Sequence, residues 1–157
     1  MRTARLLVVV VFLIVGCTAL MAQTVVKANL DGAGETPVIA TNATGQAVFI
    51  VYPEKIEFIL TGNSFGTEVQ AAHIHLGFPG VAGPIILPLY AKAQGAFTGK
   101  VVGTLLPADL VAVKDRGINT WDDARSAIIG GRTYCNIHTT LSGSGEIRGQ
   151  ITRAGEQ

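Results

Sequence analysis

The sequence predicts an all-β domain, an antiparallel, Greek-key-like β-sandwich or barrel of about eight strands with one short helix near residues 120–129. Three observations support this fold class. Apolar and polar residues alternate in short runs, and turn-forming residues separate these runs. Glycine is frequent, at 19 of 157 residues. Charged residues make up only 15% of the chain and form no long block of one sign, which argues against disorder and against a long-helix protein.

Each strand is predicted from an apolar alternation that ends at a turn signal. Asp-Gly-Ala-Gly at 31–34 ends the first run, and Tyr-Pro-Glu-Lys at 52–55 is typical of a hairpin turn between the second and third. Residues 77–84 carry a glycine at every third position and two prolines, which indicates one stiff loop rather than a collagen-like repeat. Leu-Ser-Gly-Ser at 141–144 joins the last two runs. The eight predicted strands cover residues 24–30, 46–52, 55–61, 68–76, 84–90, 99–105, 132–140 and 145–153, a spacing typical of a sandwich or barrel.

One segment departs from the β pattern and predicts the helix. Thr120 is a suitable N-cap, two aspartates follow in the first turn, and Gly130 can end the helix. Trp121, Ala124 and Ile128 fall on one helical face. We therefore expect this helix to cover one end of the β structure, with Trp121 as a packing anchor.

The first 22 residues have the features of an export signal. Arg2 and Arg5 precede ten unbroken apolar residues at positions 6–15. A membrane span needs ~20 apolar residues, so an uncleaved anchor is disfavoured. Since no linker divides the rest of the chain, residues 24–154 are predicted to form one domain.

Two processing sites remain open. Residues 14–17, Ile-Val-Gly-Cys, resemble a bacterial lipobox, which would give a lipoprotein signal over residues 1–16 and a lipidated Cys17. Alternatively, a signal peptide over residues 1–22 is removed after Ala22, although Leu20 is larger than the residue preferred three positions before a cleavage site. In both cases the expected location is periplasmic, outer-membrane-associated or secreted, with membrane contact only through the lipid.

The charge balance excludes one class of partner. The formal net charge is +1, and loss of Arg2 and Arg5 with the signal would change it to −1. A nearly neutral domain lacks the basic surface that nucleic acid requires. The expected partner is therefore an unidentified protein or envelope component.

The three histidines of the chain lie in two predicted strands. His73 and His75 alternate onto one strand face, and His138 lies 63 residues beyond His75. Three neutral imidazoles on neighbouring strands would make a zinc or copper site, with either an open position or an oxygen ligand. The candidate oxygen ligands are the carboxylates Asp122, Asp123 and Glu146. Alternatively, the histidines hydrogen-bond to the backbone and to Glu146, and so only order the surrounding loops.

Two further polar residues share one face of the last strand. Glu146 and Arg148 are expected to pair with each other or to bracket a histidine, while Ile147 points the other way. Glu146 would orient a metal ligand if it accepted a histidine N–H. Asn136, in the strand of His138, is assigned a similar supporting role.

The sequence contains no catalytic motif, and no catalytic residue is predicted. A Gly-x-Ser-x-Gly nucleophile elbow and a phosphate-binding Gly-Lys-Ser/Thr loop are both missing from the sequence. Cys135 and His138 are three residues apart on a strand, so they point to opposite faces and do not form a nucleophile–base pair. Cys135 is predicted to be a small buried core residue.

Five sequence blocks, in order, resemble the chordin domain (CHRD) family. Residues 30–37 are similar to its opening L-x-G-x-x-E-x-P, and residues 44–47 to the following x-G-x-A. Residues 72–84 are similar to its A-H-I-H-x-G…G-x-x-G-P signature. Residues 131–139 match G-x-x-Y-x-N-I/V-H-T, and residues 145–151 match G-E-I-R-G-Q-I/L. The departures are Val38, where the family commonly has a second proline, and Cys135, where it often has valine.

The resemblance implies an all-β extracellular module to which no reaction is assigned. It favours a binding or structural module of the cell envelope. The alternative is a copper- or zinc-binding metalloprotein using His73, His75 and His138, since the His-x-His strand is locally similar to copper/zinc superoxide dismutases. The growth-factor antagonism of chordin does not transfer to a lone domain.

Overall fold

The computed structural model describes residues 23–155, and it is mostly antiparallel β structure with one helix. The predicted signal segment, which includes Cys17, lies outside the described residues. The strands are Thr24–Asp31 (β1), Thr44–Val51 (β2), Ile56–Asn63 (β3), Val69–Leu76 (β4), Ile85–Ala91 (β5), Lys100–Leu105 (β6), Thr133–Thr139 (β7), Ile147–Gln150 (β8) and Thr152–Arg153 (β9). The all-β prediction is confirmed.

One sheet curls into a nearly closed barrel. Its strands follow the order β5-β4-β7-β8-β1-β2-β3-β6, and the short β9 pairs with β1. All the pairings are antiparallel. The pairing of β4 with β7 is long-range in sequence, and it places His138 beside the strand of His73 and His75.

The barrel interior is filled by every second residue of each strand. Val26, Phe49, Leu60, Ile74 and Ile137 are completely buried there. Cys135 is also fully buried in this core, as expected, and burial raises the pKa of its thiol.

The helix, Trp121–Ile129 (α1), forms where it was expected and packs against the core. The Thr120 hydroxyl accepts the N–H of Asp123, and the Asp123 carboxylate accepts that of Thr120, a reciprocal capping box. Ala124 and Ile128 are buried, and the Trp121 indole N–H donates to the Pro53 carbonyl at 2.8 Å. Within residues 23–155, no helix has the length and hydropathy needed to cross a bilayer.

The last predicted strand differs from the structure. Residues 145–153 were expected to be continuous, but the strand is interrupted at Ile151, and β8 and β9 form on either side of that residue. The Ile151 N–H donates to the carbonyl of Thr133 in β7, whereas Thr152 pairs with Lys27 of β1. The interruption therefore marks the point at which the main-chain partner of this segment changes from β7 to β1.

Candidate functional site

The candidate site lies on the outer face of β4 and β7. In the register of these strands, His73 is opposite Asn136 and His75 is opposite Tyr134, while His138 is opposite Ala71. Residues between them, such as Ile74 and Cys135, point into the barrel core. The strand alternation therefore gathers His73, His75, Tyr134, Asn136 and His138 on one surface.

The three histidines form a compact cluster. His73 Nδ1 lies 2.9 Å from His138 Nε2. One ring nitrogen of each histidine can be chosen so that all three atoms lie within 4.8 Å of one another. The predicted meeting of His73, His75 and His138 is thus a feature of the fold.

Backbone carbonyls determine which ring nitrogens carry hydrogen. His75 Nδ1 lies 2.8 Å from the Gly83 carbonyl, and His138 Nδ1 lies 3.0 Å from the Gly143 carbonyl. Because a carbonyl only accepts, both Nδ1 atoms must be protonated, and both Nε2 atoms carry lone pairs. His138 Nε2 accepts the Nδ1–H of His73, whereas His75 Nε2 is buried and has no hydrogen-bond partner among the residues that the structure describes.

The cluster is uncharged at neutral pH. Burial lowers the pKa of all three imidazoles, because it removes water from the charged form. The pKa of His73 falls to about 4, since the nearby His138 and His75 add to the effect of burial. Neutral imidazoles with one tautomer fixed by the backbone are the form in which histidine binds a metal.

Tyr134 and Arg148 support the His75 ring. The Tyr134 ring stacks on His75 with a centroid separation of 4.9 Å and an interplanar angle of 12°. The Arg148 guanidinium lies 3.4 Å from the centroid of the same tyrosine ring. The Tyr134 hydroxyl also bonds to Gly83, whose carbonyl accepts from His75, so this stack fixes the position of the imidazole.

Arg148 is buried and holds the 77–84 loop. Its Nη2 donates to the carbonyls of Phe78 and Val81, each at 3.0 Å. The expected direct pairing of Arg148 with Glu146 is wrong: no ion pair joins them among the described residues. Arg148 is therefore a link between β8 and a loop.

Glu146 has different partners from those expected. Its two carboxylate oxygens accept the hydroxyls of Thr41, at 2.7 Å, and Thr139, at 2.6 Å. Because backbone carbonyls take the histidine N–H groups, Glu146 does not orient a histidine. The carboxylate anchors the segment before β2 to the end of β7.

The other two candidate carboxylates are engaged at α1. Asp122 pairs with Arg125 at 2.7 Å, and Asp123 caps the helix. Within residues 23–155, the cluster that could hold a metal contains the three histidines and none of the three predicted carboxylates. The structure therefore brings together only part of the predicted ligand set.

The model of the CHRD domain family matches residues 26–151. The chain belongs to the CHRD domain family. No curated protein sequence and no solved structure gave a significant match. The family model spans most of β1 and all of β2 to β8, so the site described above belongs to the CHRD domain itself.

The site of this CHRD domain also includes a residue that sequence reasoning missed. The Glu35 carboxyl is buried beside Gly145, where a Cβ atom would collide with it. Burial raises the pKa of Glu35, and its interactions with Thr36, Arg148 and Asn136 oppose that shift. Glu35 stands in the opening block of the resemblance, but its spacing gave no sign that it lies near Asn136.

A cleft adjoins this buried polar cluster. It has a volume of about 440 Å³ and lies between residues 33–38 and 79–80, with Glu35, Arg148 and Gln150 in its lining. Four of the five family-like blocks contribute side chains to the cleft or the cluster. This CHRD domain therefore concentrates its polar groups on one covered face, as a recognition surface or a cation site requires.

Proposed function

We propose that this CHRD domain is an exported binding or structural module of the cell envelope or extracellular space that has no catalytic role. Its ligand would be a protein or envelope partner held at the cleft. The observation that carries this proposal is that the loops at 32–38, 77–84 and 140–145 lie against one sheet face. Their polar contacts, such as Arg148 to Phe78, hold the rim of the cleft in place.

The chemistry of the site supports binding rather than nucleophilic catalysis. The Cys135 thiol is fully buried inside the barrel, on the opposite face from His138. Burial also raises its pKa, which disfavours the reactive thiolate. The nearly neutral charge favours an envelope partner over nucleic acid, and a lipid on Cys17 would provide the membrane contact.

Site-specific crosslinking compares the two sides of the barrel. A photo-reactive amino acid is placed at Val38, in the cleft lining, or at Val102, on β6. Both positions are similarly exposed, at 69% and 65%. We expect covalent adducts with envelope components in the native host from position 38 only. Equal adducts at both positions, or adducts only at 102, would contradict the proposal.

Export has its own test. Fractionation of cells that express the full chain should place it in the envelope or the medium, and mass spectrometry should find a mature N-terminus at lipidated Cys17 or at Gln23. Recovery of the chain in the cytosol with residues 1–22 intact would contradict export.

A copper- or zinc-binding metalloprotein is the second candidate. It is favoured by the buried lone pair of His75 Nε2, which lies near two other neutral imidazoles and has no hydrogen-bond partner in the described part of the chain. The protein would store or deliver the metal, or hold it as a structural group. His73 and His75 would both bind the metal from one strand, in keeping with the local similarity of this His-x-His strand to copper/zinc superoxide dismutases.

Metal titration tests this second function. The purified domain should bind about one equivalent of zinc(II) or copper(II) at neutral pH by calorimetry, and His75→Ala should abolish that binding. Asn119→Ala, at an exposed position before α1, is the matched control. No uptake by the wild-type domain would exclude the metal function.

A further inference from the structure

Two buried acceptors next to the histidine cluster have no hydrogen-bond partner within residues 23–155. They are Nε2 of His75 and Oδ1 of Asn136. A buried acceptor without a partner is unfavourable, because it has lost its hydrogen bonds to water and gained none in return. His75 cannot donate from Nε2 because its hydrogen is on Nδ1, bound to Gly83. One group that accepts electron pairs from both atoms would satisfy both acceptors.

Asn136 occupies the centre of the polar face. It lies directly opposite His73 on one side and Arg148 on the other, and only 1% of it is exposed. Its Nδ2 lies on the side of Gly145 and Glu35, since a Cβ on Gly145 would be 2.8 Å from that nitrogen. The amide nitrogen of Asn136 therefore faces Glu35, and its Oδ1 is on the side of the histidines.

The strand register places Asn136 near His75 as well. Asn136 is opposite His73, and His75 lies two residues further along β4, so His75 and Asn136 are diagonal neighbours on the same face. A metal cation beside Oδ1 would be stabilised by the dipole of the amide group.

We propose that Asn136 Oδ1 is the fourth donor of a divalent cation site whose other donors are His73, His75 and His138. This inference rests on the metal function proposed above. Three imidazoles and one amide oxygen suit zinc(II) or copper(II). Asn136 would then be the oxygen ligand, the role for which the sequence suggested Asp122, Asp123 or Glu146. Those three carboxylates have other partners in the structure.

Loading such a site would change the tautomer of one histidine. His73 Nδ1 now donates its hydrogen to His138 Nε2. For both nitrogens to bind a cation, that proton must move to His73 Nε2, so that Nδ1 offers its lone pair. His75 Nε2 already offers its lone pair, and His138 Nε2 offers its own once the proton has left Nδ1 of His73, so neither of these two rings changes its tautomer.

Zinc(II) titration of four proteins tests the role of Asn136. The proteins are the wild-type domain, Asn136→Ala, Asn136→Asp and the control Asn119→Ala. We expect Asn136→Ala to weaken zinc binding by about tenfold or more, and Asn136→Asp to strengthen it because it adds a charged oxygen. The control should bind zinc like the wild type.

The outcomes separate this inference from the metal function itself. If the wild type binds no zinc(II) or copper(II), both are overturned. If the wild type binds but Asn136→Ala has the same affinity and the same copper(II) spectrum, only the donor role of Asn136 is overturned. Tighter binding by Asn136→Ala would also overturn it, since the amide would then be a competitor for His75.

A measurement on the wild type avoids any folding defect of the variants. The side-chain carbonyl carbon of Asn136 can be followed by NMR while zinc(II) is added. Its resonance should shift strongly as the site fills, and the asparagines outside the cluster should not shift. An unchanged Asn136 resonance in the metal-loaded domain would overturn the donor role.

Discussion

The two outer faces of the barrel carry side-chain rows of opposite character. On one side, Val48, Ile59 and Val102 pair directly across β2, β3 and β6 and are exposed. On the other side, His73, Asn136 and Arg148 pair directly across β4, β7 and β8, and Arg148 is only 3% exposed. Both rows point away from the core, so alternation alone does not distinguish them.

The two rows differ because a loop covers the polar row and none covers the apolar row within the described residues. The 77–84 loop lies over the polar row and takes hydrogen bonds from Arg148 and His75, whereas the apolar row is open. A covered polar group is desolvated and needs a partner, while an exposed valine interacts mainly with its strand neighbours. Substitutions on the covered face should therefore cost stability, and those on the open face should not.

The largest expected effect comes from Arg148→Ala. This change removes two charge-assisted hydrogen bonds and the stack on Tyr134, and it leaves the Phe78 and Val81 carbonyls without partners. We expect the free energy of unfolding to fall by about 3 kcal/mol in chemical denaturation. Val102→Thr on the open face should change it by less than about 0.5 kcal/mol. Equal losses from the two variants would contradict the comparison.

Two glycines of one loop provide the next test. Gly145 has φ of +134° and lies against the Glu35 carboxyl, while a Cβ on Gly143 would meet open space. Gly145→Ala should therefore cost about 2 kcal/mol through backbone strain and collision, and Gly143→Ala should be nearly neutral. Thermal unfolding of both variants measures the difference. A neutral Gly145→Ala would mean that Glu35 is not packed there.

A smaller effect is expected from Glu146→Gln. The amide keeps one acceptor for Thr41 or Thr139 but loses the other, together with the charge. We expect a loss of about 1 kcal/mol in the free energy of unfolding. Glu57→Gln, at a partly exposed carboxylate on the open side, is the control and should stay within about 0.5 kcal/mol. If Glu146→Gln were as neutral as its control, the carboxylate would not anchor the covered face.

The most gradual expected effect is the loss of folding stability as the pH falls. The pKa of His73 is about 4 in the folded domain, below the ordinary value of 6.5. The unfolded chain therefore gains its proton first, so this stability is complete above about pH 6.5 and is lost as the pH falls toward 4. His73→Gln should flatten the dependence of the melting temperature on pH in that window. Identical curves for the two proteins would contradict a neutral, buried His73.

The sequence predicted most of the barrel because its signals are local. Alternation and turn residues located the strands, and capping residues located α1 between Thr120 and Gly130. The prediction of one continuous strand over residues 145–153 was wrong, because the interruption at Ile151 depends on pairing with the distant strands β7 and β1.

The site was only partly predictable. Alternation placed His73 and His75 on one face, but the pairing of β4 with β7 depends on the whole sheet. Glu35 and the threonine partners of Glu146 reach the site through the paths of loops, which local patterns do not determine. Asn136 was assigned only a supporting role, because its position between His73 and Arg148 follows from register.

The central claim is that the covered face holds neutral histidines with fixed tautomers. Two-bond ¹H–¹⁵N correlation spectra of the metal-free domain at pH 7 test it directly. His75 and His138 should each show a protonated Nδ1 and an unprotonated Nε2, because their Nδ1–H groups donate to the Gly83 and Gly143 carbonyls. Protonation at Nε2, or rapid exchange between the two tautomers, would contradict the account.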